Sequence, residues 1–87
     1  MYSYKFDKRV AKFLEKREIN FLKLFENKIE KICINPYDKS LDIQKYTANW
    51  DNHFRFRLGK YRFLYYIMND ELVIYFYDAD SRGDIYK

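Results

Sequence analysis

The stretch FRFRLGKYRFLYYI, residues 54–67, decides the fold. Its first half alternates apolar residues with arginines, which gives a β-strand one apolar face and one basic face. Gly59-Lys60 then forms a two-residue turn, and glycine in the first position suits a type II′ turn. The second half returns as another aromatic-rich strand. Residues 54–67 therefore predict an antiparallel β-hairpin.

This turn fixes which residues face each other across the hairpin. Leu58 pairs with Tyr61, Phe56 with Phe63, and Arg57 with Arg62, and Arg55 lies further along the face of Arg57. Like charges directly opposite each other destabilise a sheet. The simpler interpretation is a solvated outer face on which the arginines spread apart. Three arginines on one face favour a phosphate site instead, because the guanidinium fork matches phosphate oxygens and stays charged.

Upstream of the hairpin, the sequence predicts one strand and two helices. Residues 2–6 alternate aromatic and polar side chains, which is typical of a strand. Asp7 offers an N-cap for a helix that extends to about Arg17. A second helix runs from about Ile19 to Cys33 and ends at Asn35-Pro36. The short linker between the two predicts an antiparallel helical hairpin.

The remaining elements complete the expected fold. Residues 37–52 have a weak pattern, with a short strand at 41–45, and a further strand at 72–77 follows a turn at 69–71. The fold class is therefore α+β: an N-terminal strand, an antiparallel helical hairpin, then a three- to four-stranded antiparallel sheet with the helices on one face. A length of 87 residues predicts a single domain, 1–87.

Composition sets limits on function. Seventeen Lys and Arg against thirteen Asp and Glu give a net charge of +4, which admits a polyanionic partner without requiring one. Cys33 is the single cysteine and falls on an apolar helix face, so we expect a structural role and no disulfide. We find no metal-ligand spacing, signal peptide or membrane span. We expect no cofactor, no membrane partner and a cytoplasmic location.

Three further residues of the hairpin region are candidates for a site. His53 begins the basic run and could titrate near neutral pH, although a lone histidine is more often a bystander. Lys60 adds a positive charge at the turn. Tyr66 shares a face with Arg62 and is the best candidate for stacking on a base. We expect most other tyrosines of the strands to serve in packing.

The order of elements, together with residues 54–65 and the closing SRGDIY at 81–86, resembles the RelE/ParE superfamily of bacterial toxins. The resemblance covers essentially the whole chain. It implies the toxin of a type II toxin–antitoxin pair, with two helices packed on an antiparallel sheet. The RelE branch cleaves mRNA, typically in the ribosomal A site and without a metal, whereas the ParE branch poisons DNA gyrase.

The resemblance also implies roles for individual residues. Arg55 and Arg57 stand where RelE-type enzymes place two basic strand residues. Arg62 stands where they place an arginine that contacts the scissile phosphate, and Arg82 matches a second phosphate-stabilising arginine. Tyr86 matches a C-terminal tyrosine implicated in proton transfer. Such arginines would stabilise the negative charge that develops on the phosphorane.

The general acid is the weak point of this assignment. The family often supplies lysine or histidine, but arginine donates protons poorly because its pKa lies above about 12. This leaves His53, or water, as the acid. A ParE-like gyrase inhibitor with no chemistry of its own therefore stays open as an alternative, and a protein that only binds RNA is a third possibility.

The resemblance leads us to expect a metal-independent endoribonuclease, an mRNA interferase, that acts on mRNA at the ribosome and inhibits translation. Its expected protein partner is a cognate antitoxin that folds over the helices and the sheet and covers the basic face. Operator DNA would be bound only through that antitoxin.

Overall fold

A computed structural model of the protein describes residues 1–45 and 52–80. The chain begins with strand β1 (Ser3–Phe6) and continues through helices α1 (Lys8–Glu15) and α2 (Ile19–Ile34). A single 3₁₀ turn (Lys39–Leu41) leads to strands β2 (Ile43–Lys45), β3 (His53–Leu58), β4 (Tyr61–Met68) and β5 (Val73–Asp80). This order confirms the α+β prediction, including the short strand before the hairpin.

The strands form one five-stranded sheet in the order β1-β5-β4-β3-β2. Strands β2 to β5 are antiparallel neighbours, as predicted, but β1 pairs in parallel with β5. The sequence pattern indicated no pairing partner for β1. The reason is physical: no tight turn connects β1 to β5, so local sequence signals cannot specify that pairing or its direction.

The register of the central hairpin is the one predicted. Leu58 pairs with Tyr61, Phe56 with Phe63 and Arg57 with Arg62. Gly59 has a φ of 62°, whereas Lys60 is not among the described residues with positive φ. A type I′ turn requires positive φ at both central positions, so these angles fit the predicted II′ turn and exclude I′.

Both helices pack on one face of the sheet, and the core lies between the helices and that face. Val10 of α1 is fully buried, and α2 contributes Phe25, Ile29, Ile32 and Cys33. The sheet contributes mainly aromatic and β-branched side chains: Phe56, Phe63, Tyr65, Ile67, Ile74 and Phe76. Burial raises the pKa of the Cys33 thiol, which fits the expected structural role because a reactive cysteine needs a lowered one.

Both helices begin where predicted, and their ends differ slightly. The carboxylate of Asp7 caps α1 by accepting a hydrogen bond from the Arg9 amide, 3.2 Å. Helix α1 ends at Glu15, two residues early, and Arg17 then folds back so that its Nε donates to the Phe13 carbonyl, 3.1 Å. Helix α2 runs one residue past Cys33. Among the described residues, no helix is long and apolar enough to cross a bilayer.

Candidate nucleic-acid interface

Neither helix covers the second face of the sheet, which we call the open face. The register places Arg55, Arg57 and Arg62 together at its β3–β4 turn end, and we call these three residues the arginine row. Leu64 of β4 lies beside Arg55 on this face and is only 3% exposed. The predicted clustering of the three arginines on one side of the hairpin is therefore present.

Two residues from the β2 edge contact the arginine row. Arg55 donates a hydrogen bond from Nη2 to Oε1 of Gln44, its partner across the strand pair. The Nε of Arg57 lies 3.9 Å from Oδ2 of Asp42 in a solvent-exposed ion pair. Exposed pairs of this kind contribute little to stability. On the other side of the row, Asp80 lies opposite Arg62 in the pairing of β4 with β5.

Arg55 is a member of the arginine row whose pKa responds to its surroundings. It is half-buried, and the pKa of its guanidinium is lowered first by burial and then by the positive charges of Arg57 and Arg62. The carboxylate of Asp42 acts in the opposite direction. Because arginine nevertheless stays charged in proteins, the row concentrates positive charge, and a bound phosphate would relieve the repulsion.

Sequence reasoning missed Asp42. Its φ of 60° lies in the left-handed region, which aspartate tolerates better than most residues. This geometry ends the 3₁₀ turn and starts β2 beside the arginine row. The signal was weak, because the pairing of β2 with β3 cannot be read from a three-residue strand.

A second group of side chains occupies the other end of the open face. Nδ1 of His53 and the hydroxyl of Tyr77 share a hydrogen bond of 2.9 Å. The ring centroid of Tyr66 lies 5.3 Å from that of His53 and 5.7 Å from that of Tyr77. We call His53, Tyr66 and Tyr77 the aromatic platform. All three side chains are half-buried.

A β-bulge brings Tyr77 into the platform. Tyr65 pairs with Phe76, but Leu64 pairs with Asp78, so Tyr77 is the extra residue of β5. Bulges redirect side chains in this way and are frequent next to functional sites. The bulge also lets β5 continue to Asp80, whereas strict alternation predicted a strand that ends at Tyr77. No sequence signal for the bulge is visible.

Burial lowers the pKa of His53. The unperturbed value is about 6.5, so the imidazole is mainly neutral at neutral pH. In this neutral form Nδ1 shares its hydrogen bond with the Tyr77 hydroxyl. As a general acid, His53 would act through its small protonated fraction.

The platform is anchored to the start of α1 through Tyr75. The Tyr75 ring lies 5.3 Å from that of Tyr66, and its hydroxyl donates to Oδ1 of Asp7, 3.0 Å. This hydrogen bond raises the pKa of Tyr75. The pKa of Asp7 is lowered, first by the Arg9 amide and then by Tyr75.

Of the other predicted site residues, Lys60 lies apart from the row. Its ammonium sits 5.8 Å from the ring centre of Tyr61, which packs against Phe13 on the helix side of the sheet. Arg82 and Tyr86 lie outside the described residues. Tyr65, in contrast to Tyr66, is fully buried and donates its hydroxyl to the Pro36 carbonyl, 2.9 Å. Tyr65 therefore belongs to the core, as expected for most of these tyrosines.

Within residues 1–45 and 52–80, no three His, Cys, Asp or Glu side chains cluster closely enough to hold a metal ion. The features that define the site are cationic and aromatic.

Fold and site together define a small α+β domain in which two helices cover one face of a sheet and arginines gather on the other. Several solved structures share this architecture. The RelE–RelB complex from Pyrococcus horikoshii OT3 matches with a TM-score of 0.81 at 24% identity, over 95% of this chain and 97% of that one. The RelB–RelE complex from Methanococcus jannaschii matches at 29% identity with a TM-score of 0.67, over 93% of each chain.

The intact E. coli RelBE complex gives a TM-score of 0.76 at 15% identity, over 95% of this chain and 99% of that one. Comparison by sequence finds no matching family model and no matching curated protein. The chain has the RelE fold, and the resemblance to the RelE/ParE toxin superfamily is confirmed.

Proposed function

We propose that this protein is the toxin of a type II toxin–antitoxin pair and a metal-independent endoribonuclease that cleaves mRNA on the ribosome and so inhibits translation. The RelE fold supports the toxin assignment. The observation that carries the ribonuclease assignment is the arginine row, in which Arg57 lies directly opposite Arg62 and Arg55 follows on the same face. Such crowding of cations supports a site for an anion among them.

The proposed reaction needs three tasks. The ribose 2′-oxygen attacks phosphorus, a phosphorane with extra negative charge develops, and the bond from phosphorus to the 5′-oxygen breaks. The products are a 2′,3′-cyclic phosphate and a 5′-hydroxyl. Fixed cations aimed at the developing charge suit the second task, and such electrostatic stabilisation is usually the largest single contribution to catalysis.

We assign the two proton transfers to Tyr86 and His53. Nearby arginines would favour the phenolate of Tyr86 and so make it a base for the 2′-hydroxyl. His53, or water, would then protonate the leaving 5′-oxygen. If His53 is the acid, cleavage should slow as the pH rises above the lowered pKa of His53, and His53→Gln should remove that dependence.

We further propose a cognate antitoxin as the protein partner. The related structures from Pyrococcus horikoshii, Methanococcus jannaschii and E. coli are complexes of RelE with RelB. By analogy, an antitoxin segment would fold over the helices and sheet and cover the arginine row, and operator DNA would be bound only through it. A charge-driven part of this affinity should weaken with salt, and binding that is indifferent to salt would contradict this mode.

Inducible expression followed by mapping of RNA 5′ ends tests the function. We expect codon-phased cuts in mRNA, strongly reduced in Arg62→Ala and Tyr86→Phe. Lys23→Ala is the matched control, because Lys23 is an exposed cation of α2 on the opposite side of the molecule from the open face. Growth arrest with intact mRNA and DNA-damage signalling would identify a ParE-like gyrase inhibitor instead. RNA binding without a cyclic phosphate product would identify a binding protein.

A further inference from the structure

The aromatic platform continues the arginine row along the same side of the sheet. His53 and Arg55 are two residues apart on β3 and therefore point to the same face. At about 3.3 Å per residue, they lie roughly 7 Å apart along the strand. One short single strand of nucleic acid can therefore reach both groups.

We propose that the aromatic platform is a base-binding subsite, in which one base of a single-stranded nucleic acid stacks on Tyr66 while the arginine row holds a neighbouring phosphate. The inference rests on the proposed function and deepens it by stating how the substrate lies on the sheet. Its central element is Tyr66, a half-buried ring that contacts His53, Tyr75 and Tyr77 in tilted arrangements.

Packing against the helices does not account for these rings. The aromatic core of the helix side is closed by α1 and α2, whereas the platform lies on the face that neither helix covers. Polar side chains would be the ordinary choice on such a face. The rings here are also held in place, since His53 binds the hydroxyl of Tyr77 and Asp7 binds that of Tyr75. Fixed rings lose little entropy when a ligand stacks on them.

The charge distribution gives the nucleic acid one orientation. A cleft next to the platform is lined by His53 and Tyr66, by the amides Asn52 and Asn69, and by the carboxylates Asp70 and Glu71. These carboxylates repel phosphate. At the opposite end of β4 the three arginines attract it, and Asp42 and Asp78 near them reduce this attraction without removing it. A strand that crosses the face therefore directs its backbone toward the arginines and a base toward the cleft, where polar groups can bond to the base edge.

Binding of short single-stranded RNA that carries 2′-deoxy substitutions, and so cannot be cleaved, tests this subsite. Fluorescence anisotropy gives the affinity for each oligonucleotide and for matched versions in which one position in turn is abasic. Stacking on an aromatic side chain is worth about 1–3 kcal/mol per base. We therefore expect one abasic position to weaken binding to the wild-type protein by roughly 5- to 150-fold.

The variants separate stacking from other effects. Tyr66→Leu should bind intact and abasic oligonucleotides equally, whereas Tyr66→Phe should retain the difference because it keeps the ring. Tyr4→Leu is the matched control, since Tyr4 is an exposed tyrosine at 44% on the helix side of the sheet. It should behave as the wild type does.

The inference is overturned if the wild-type protein has no preference for intact over abasic RNA at any position. It is also overturned if Tyr66→Leu weakens the binding of intact and abasic RNA by the same factor. Because the assay requires no cleavage, its outcome is separate from that of the proposed function. Base-dependent binding without any cutting would contradict only the ribonuclease proposal, and cutting with an unchanged codon preference in Tyr66→Leu would contradict only the subsite.

Discussion

At the scale of single residues, His53 is the group whose protonation has the clearest consequence for stability. Burial lowers its pKa in the folded protein, so between that value and the unfolded value of about 6.5 the unfolded chain binds more protons. Stability contributed by neutral His53 is therefore full above about pH 6.5 and is lost as the pH falls through this range.

We expect His53→Gln to flatten this dependence. The measurement is the free energy of unfolding by urea at several pH values between about 8 and 5.5, a range above the titration of ordinary carboxylates. If the free energy of unfolding changes with pH equally in the variant and the wild-type protein, burial does not lower the pKa of His53. Tyr77→Phe, which removes the hydroxyl partner of His53, is an informative second variant.

Asp42 offers a second test at this scale. Replacement by asparagine keeps a side chain that tolerates the left-handed backbone and removes the negative charge beside Arg57. We expect the stability to change by less than about 1 kcal/mol, as for other exposed ion pairs. The affinity for single-stranded RNA should rise several-fold at low salt. Unchanged or weaker RNA binding would argue that the arginine row does not meet the phosphate backbone.

At the scale of elements, the β3–β4 turn controls the whole site, because it sets the register that places Arg57 opposite Arg62. Gly59 has a φ of 62°, and a Cβ built there would meet nothing within 4 Å. Gly59→Ala should therefore destabilise the protein through backbone strain alone, by about 1–2 kcal/mol. Gly59→Asn should be less harmful, since asparagine adopts this conformation more readily. Equal stability of wild type and Gly59→Ala in denaturant would contradict the assigned turn.

This hairpin is also the part that sequence predicts best. Alternation from Phe54 to Leu58 and the glycine of the turn suffice for the register, because both signals are local. The parallel pairing of β1 with β5 and the bulge that redirects Tyr77 are not local. They depend on packing between distant segments. For this reason the arginine row was predicted as a group, whereas His53 and Tyr66 were named singly and their grouping with Tyr77 was not predicted.

At the scale of the whole molecule, a net charge of +4 does not identify a binding partner. The distribution of that charge over the surface is more informative. Helices and core occupy one side of the sheet. On the open face the arginine row has Asp42 and Asp78 near it, and Asp70 and Glu71 lie beside the platform at the other end. Three arginines grouped in this way attract an extended anion more effectively than the net charge suggests. The fold supplies a rigid sheet on which this pattern is held.

The most direct test of the central claim is single-turnover cleavage of mRNA on programmed ribosomes by the wild-type protein, Arg62→Ala and Arg17→Ala. Arg17 is the matched arginine of the helix side, where its Nη1 donates to the Tyr61 hydroxyl at 2.8 Å. We predict that Arg62→Ala slows cleavage by about 10²- to 10³-fold, the usual effect of removing one preorganised charge donor. Arg17→Ala should cleave at close to the wild-type rate while it stays folded. Cleavage by Arg62→Ala at the wild-type rate would contradict the account.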